Sequence, residues 1–237
     1  MNTQSAVLQE ILVQISRCRA DGPVVVFDVD STLFCTDKRS LAVLRSAAQR
    51  FPAIAPVVHK WQENDVGWFS TDDLKSEGIH NRELLDAVMD FWMDNFFKDE
   101  LLVLDEPLPG AAAYVNKVIE AGATACYLTG RNRPGMERGT RKSLAEHGFP
   151  LGESDTKLLM KPRLEMDDAD YKRQAIRQVR DMGPVVAAFD NEPEMVNLFS
   201  DTFQSAIVVL VDTIHSPTQA VPYPATHRID DFRIDGA

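Results

Sequence analysis

The sequence predicts an α/β fold: a doubly wound parallel sheet, Rossmann-like, with a small helical unit inserted near its start. Three observations lead there. Five short apolar runs are separated by segments of helical period. The first of them, Val24-Val25-Val26-Phe27, stops abruptly at Asp28-Val29-Asp30. Between about Cys35 and Glu106 no buried strand pattern occurs, and helical spacing takes over. With 237 residues, 44% of them hydrophobic, the chain can bury one full α/β core and a lesser unit besides. Residues 1–35 and 107–237 are expected to form the core and 36–106 the insert.

Each element has its own signal. Val7, Leu8, Ile11, Leu12 and Ile15 mark an amphipathic helix from Thr3 or Ser5 to before Asp21-Gly22. The β-branched run after Gly22-Pro23 reads as a strand buried on both faces. Within the insert, Leu41, Val43, Leu44, Ala47 and Ala48 mark one helix and Ala55 to Trp61 a second. Thr71-Asp72-Asp73-Leu74 opens a third, and Arg82 to Phe97 makes a long aromatic-rich fourth. Its aromatics, with Trp61, Trp68 and Phe69, are expected to be the insert's own core.

After Pro107-Leu108-Pro109-Gly110 the α/β alternation resumes. Helices are expected over 111–121, 136–147, 170–182 and 192–199, and strands over 123–128, 156–160, 185–189 and 206–211. The tail from Thr213, with Pro217, Pro222 and Pro224, is expected to run as irregular surface structure, its His215 and His227 being ordinary surface histidines.

Composition excludes several functions. A net charge of -11 argues against a general nucleic-acid or anionic-membrane binder, whose affinity rests on Lys and Arg facing phosphates. Cys18, Cys35 and Cys126 lie far apart without CxxC spacing, so neither a disulfide framework nor a zinc site is indicated. No apolar run approaches the roughly 18 residues of a membrane helix, and Gln9-Glu10 interrupts the apolar residues near the N-terminus. A soluble, cytoplasmic protein is expected.

Chemistry concentrates where strands end. Asp28 and Asp30, spaced i, i+2, are expected to point to the same side by strand spacing. Two carboxylates that close resist joint ionisation unless a cation lies between them or one keeps a proton. Thr129-Gly130 and Asp190 fall at the ends of later strands, where ligands of such sheets bind.

Taken in order, Asp28-Val29-Asp30-Ser31-Thr32, Tyr127-Leu128-Thr129-Gly130-Arg131, a lysine, and Phe189-Asp190-Asn191-Glu192 with Glu194 resemble the four motifs of the haloacid dehalogenase (HAD) superfamily. The resemblance covers roughly residues 22–35 and 107–211. It implies that Asp28 is a nucleophile forming an aspartyl-phosphate, and that Asp30 is the acid and base. It further implies Mg²⁺ held by Asp28, Asp190 and the backbone carbonyl of Asp30. The presence of Asp30 favours phosphate esters over halides, because a leaving alkoxide needs a proton. Thr129 and Gly130 would hold phosphoryl oxygens, and Thr32 would support the loop.

For the phosphate-clamping lysine the resemblance offers Lys172 and Lys161. Lys172 is favoured, and the other would be a surface residue. The fourth motif departs from the usual acidic pattern at Asn191, which could order a metal-bound water, with Glu194 acting behind it. Arg131 could reach substrate or lie in solvent. The insert's position resembles the family's helical C1 cap, which favours a small phosphorylated substrate, with Arg39, Arg45, Lys60 and Lys75 as contacts of no special standing. The reading is a Mg²⁺-dependent phosphomonoester hydrolase. The alternatives are a phosphotransferase or phosphomutase with the same intermediate, and a non-catalytic binding protein on the same fold.

Overall fold

The computed structural model describes residues 3–68, 70–152, 154–217 and 220–234. Helix α1 (Thr3–Arg17) buries Val7, Leu8, Ile11 and Ile15 against the sheet. Strand β1 (Val24–Phe27) has every side chain buried, with Val25 and Phe27 on one face and Val24 and Val26 on the other. That double burial is what the unbroken β-branched run implies.

Two residues of β2 (Phe34–Cys35) then lead into the insert. It comprises α2 (Asp37–Arg50), α3 (Ala55–Val58), α4 (Ser70–Ser76) and α5 (Arg82–Phe96), joined by 3-10 turns. The chain returns through β3 (Glu106–Pro107), which pairs antiparallel with β2, so entrance and exit form one two-stranded neck. Leu44, Ile54, Val58, Trp61, Leu74, Leu85 and Val88 make a hydrophobic cluster of the insert's own. Asn81 caps α5 by accepting from the Leu84 N–H at 2.9 Å.

Beyond the neck follow α6 (Ala111–Ala121), β4 (Thr124–Asn132), α7 (Arg133–Glu146), β5 (Thr156–Lys161) and α8 (Asp168–Met182). They are succeeded by β6 (Val185–Asp190), α9 (Pro193–Thr202), β7 (Ile207–Val211) and β8 (His227–Ile229). The main sheet has the order β5-β4-β1-β6-β7-β8 and every pair in it is parallel. From β1 the chain winds outward through β4 to β5, then crosses to β6 on β1's other side. The winding therefore reverses between β1 and β6, and the crevice beyond their carboxyl ends is where such sheets bind ligands. A stacked pair, Phe27 and Phe189 with centroids 5.0 Å apart, fastens these two strands from beneath.

Three expectations need correction. The tail is not irregular throughout: β8 adds a sixth strand, and Ile229 and Phe232 enter the core beside Tyr114. A three-residue edge strand carries too little periodicity to be legible among prolines. β4 runs on through Thr129-Gly130-Arg131 to Asn132, with a register irregularity after Thr129. The aromatics of the insert divide: Trp61 and Phe91 pack in its core, Trp92 packs against that core and also lines a cavity, and Trp68, Phe96 and Phe97 line the cavity. Phe69 lies outside the described residues. No helix among the described residues is long and apolar enough to cross a membrane.

Candidate active site

Asp28 and Asp190 stand at the ends of β1 and β6 and are 5% and 0% exposed. Between them lies the ammonium of Lys172, from α8, 2.8 Å from Asp28 Oδ1 and 2.6 Å from Asp190 Oδ2. One cation thus faces two buried carboxylates. Burial pushes the Asp28 carboxyl up to about 8, with Lys172 opposing and Asp190 reinforcing the rise. Lys172 is desolvated too, but its two carboxylate partners raise its pKa and keep it charged. The second oxygen of Asp190 accepts from the Glu192 N–H at 3.0 Å, which fixes the ring of groups at the turn into α9.

Asp30 has other partners. β1 ends at Phe27, so the two-residue period no longer holds at Asp30, which makes only an isolated bridge to Phe34. Its Oδ1 accepts from Arg39 Nη2 and Arg131 Nη2, each at 2.6 Å. Burial would raise its pKa, but the two guanidiniums outweigh this and hold the carboxyl well below the usual range. Asp105 completes the cluster, 2.7 Å from Arg131 Nη2 and 3.0 Å from Arg39 Nε. Arg39, Arg131 and Asp105 are at most 1% exposed. Arg131 therefore reaches neither solvent nor the cavity, and Arg39 is wholly buried at the joint between insert and core.

The loop after Asp30 is tightly held. Ser31 has φ 56°, an uncommon value for a residue with a side chain, and such strain persists only where surroundings enforce it. Its N–H donates to Phe34 O at 2.7 Å, and its carbonyl accepts from the Thr213 hydroxyl. Thr32 donates to Asn191 Oδ1 at 3.2 Å, and Asn191 Nδ2 donates to Ile214 O at 2.6 Å. Asn191 is thus engaged in joining the β1 loop to the tail. Glu194 meets Arg173 at 2.7 Å on a half-exposed surface, and Glu192 binds Ser216.

Thr129 is buried, its Oγ accepting from the Arg131 N–H at 3.1 Å. At Gly130 a Cβ would meet the Asp168 carboxylate, which would have to swing aside and so disturb its pairing with Lys161. Lys161 is buried rather than on the surface and pairs with Asp168, leaving Lys172 as the lysine that meets Asp28. Arg45 donates to Trp61 O, and Lys75 pairs with Asp72 at the surface. Asp28, Asp30, Thr129, Gly130, Lys161 and Lys172 all line one cavity of about 490 Å³, closed on its far side by the insert.

Among the described residues no three His, Cys, Asp or Glu side chains converge as a metal cluster. The donors that do converge, the Asp28 and Asp190 carboxylates about a single ammonium, are hard oxygens of the kind a divalent cation takes.

Sequence reasoning did not find Asp105 or the engagement of Arg39. The only sign was an aspartate closing the apolar run Leu101-Leu102-Val103-Leu104, and a charged residue there can equally end a helix.

No family model matches the sequence, and no curated protein matches it. Solved structures do. Protein Tyrosine Kinase A of Mycobacterium tuberculosis is similar with a TM-score of 0.60 at 14% identity, over 86% of this chain and 92% of that one. A HAD-superfamily hydrolase of subfamily IA from Geobacter sulfurreducens gives 0.53 at 12% identity, over 89% and 93%. A "predicted phosphatase" from Clostridium acetobutylicum gives 0.52 at 12%, over 80% and 84%. The chain has the fold of the haloacid dehalogenase superfamily.

Proposed function

We propose that this protein is a phosphomonoester hydrolase working through an aspartyl-phosphate on Asp28. The observation that carries the reading is the placement of Lys172 between Asp28 and Asp190 on the floor of a cavity, at the winding reversal of the sheet. There the ammonium would draw a phosphate toward the Asp28 carboxylate that it holds. Bound Mg²⁺, on Asp28, Asp190 and the Asp30 carbonyl, would offset the repulsion between that carboxylate and a phosphate.

In the first step an Asp28 oxygen bonds to phosphorus and the ester oxygen leaves with its electron pair. In the second, water attacks the same phosphorus and restores the Asp28 carboxylate. Thr129 and Gly130, which line the same cavity, would hold the transferring oxygens. Asp30, kept ionised by Arg39 and Arg131, is suited to take a proton from the attacking water. To protonate a leaving alkoxide it must first gain a proton against those two guanidiniums. The insert acts as a cap that keeps bulk water from the reacting groups.

Trapping tests the mechanism directly. Brief exposure to substrate followed by borohydride should convert Asp28 alone to homoserine, read by peptide mass spectrometry. An unmodified Asp28 in turning-over enzyme would contradict the covalent step. A transferase is the second reading, favoured by the likeness to Protein Tyrosine Kinase A. Release of inorganic phosphate without any acceptor distinguishes hydrolysis from it.

A further inference from the structure

The wall of the cavity that faces the catalytic floor belongs to α5. Met89, Trp92, Met93 and Phe96 line it, spaced i, i+3, i+4, i+7, which places them on one stripe of the helix. α5 already buries a different stripe, Leu85 and Val88, in the insert's core. Of the cavity stripe, Trp92 also packs against that core and Phe96 is buried beneath Arg39, so Met89 and Met93 are the side chains folding leaves to the cavity. Met93 and Trp68, also in this wall, are each 41% exposed despite being large and apolar. An exposed apolar wall inside a cavity signals a ligand that covers it.

Charge narrows the ligand further. Among the described residues the cavity holds no arginine and only two lysines, and both are engaged, Lys161 with Asp168 and Lys172 with Asp28 and Asp190. Besides Asp28 and Asp30, the other charged residues of the lining are acidic, Asp37, Asp167, Asp168, Glu192 and Glu194, of which Asp168 and Glu194 are paired with Lys161 and Arg173. A second phosphate or a carboxylate on the substrate would meet like charge and no counter-ion. An aromatic ring would stack or pack on Trp68, Trp92 and the two methionines.

We infer that the substrate is a monophosphate ester of an apolar, aromatic-sized alcohol carrying no second anionic group. This rests on the phosphatase reading and goes beyond it. The test compares 2-phenylethyl phosphate, glycerol 3-phosphate and fructose 1,6-bisphosphate, with Mg²⁺. The first two leave as primary alkoxides, so their difference reports the cavity wall rather than leaving-group chemistry. The expected kcat/KM for the phenylethyl ester is about tenfold or more above both others, as for burial of one ring. Met93→Lys, a change at a half-exposed position, should lower that ratio and favour the bisphosphate.

Equal or reversed preference would overturn the inference while leaving the phosphatase intact. If no ester is turned over, the phosphatase reading fails and binding decides the inference alone. Tryptophan fluorescence titration of Asp28→Asn with the same three esters should show the phenylethyl ester binding about tenfold tighter. Equal binding would refute it.

Discussion

Lys172 can neutralise one of its two carboxylates, and the consequence is readable as pH dependence. A carboxyl whose pKa rises from 3.8 unfolded to about 8 folded keeps a proton that the unfolded chain has lost. Its contribution to stability therefore falls as pH rises from about 4 to about 8 and is level above that. Asp105, pushed up to about 6 by burial against the pull of Arg39 and Arg131, acts with the same sign over a narrower range. Asp30, shifted down, has the opposite sign, its contribution being lost only in acid below the ordinary carboxylate range. Urea midpoints of the metal-free protein should decline between pH 5 and 8, and Mg²⁺ should flatten the decline. A midpoint that climbs over this interval would contradict the assignment.

Removing the cation altogether is harsher. Lys172→Met leaves two buried carboxylates facing each other and is expected to cost about 3–5 kcal/mol at neutral pH by urea unfolding, together with all activity. The Asp30 contacts give a kinetic counterpart. Asp30→Asn should slow hydrolysis of alkyl phosphates by about tenfold or more beyond its effect on p-nitrophenyl phosphate, whose leaving group needs no proton. An equal loss on both would remove Asp30 from protonating the leaving group.

The elements around the site show where local sequence signals reach their limit. The β-branched run of β1 and its stop at Asp28 were legible because burial on both faces leaves no polar residue in the strand. The direction of Asp30 was not, since the two-residue period ends with the strand and the arginines that capture it come from α2 and β4. The same limit applies to α5: its 3.6-residue period was plain, but periodicity cannot say that a second apolar stripe faces a cavity. Arg39 on α2 looked like any solvated helix cation. In the fold it lies 4.0 Å over the Phe96 ring and pairs with Asp30 and Asp105, joining α2, α5 and the neck. Arg39→Met keeps the apolar stem and removes the charge, and should destabilise by about 3 kcal/mol through the carboxylates left behind. A change within about 0.5 kcal/mol, the range of a surface substitution, would mean the cluster is solvated.

Across the whole molecule, five of the six strands in the main sheet announced themselves, and the chemistry lies where their order predicts. The sixth, β8, was hidden because three residues among prolines carry no pattern of their own and are held by what they meet. Phe232 packs on Phe27 and Phe189, and Gln4 of α1 bonds Asp231, so the tail closes the face beneath the active site. A chain ending at Asp212 would lose this cover and the edge partner of β7. It is expected to lose its cooperative unfolding transition by circular dichroism, where a disposable tail would leave the transition unchanged.

The central claim is that Asp28 transfers a phosphoryl group to water with the help of a divalent cation. Phosphate release from simple monoesters, measured with Mg²⁺, with EDTA and in Asp28→Asn, tests it most directly. Release that needs the metal and falls by about a thousandfold or more in the variant, with the variant's unfolding transition retained, is the expected result. Release that persists in folded Asp28→Asn would contradict the claim, whatever else the site proved able to bind.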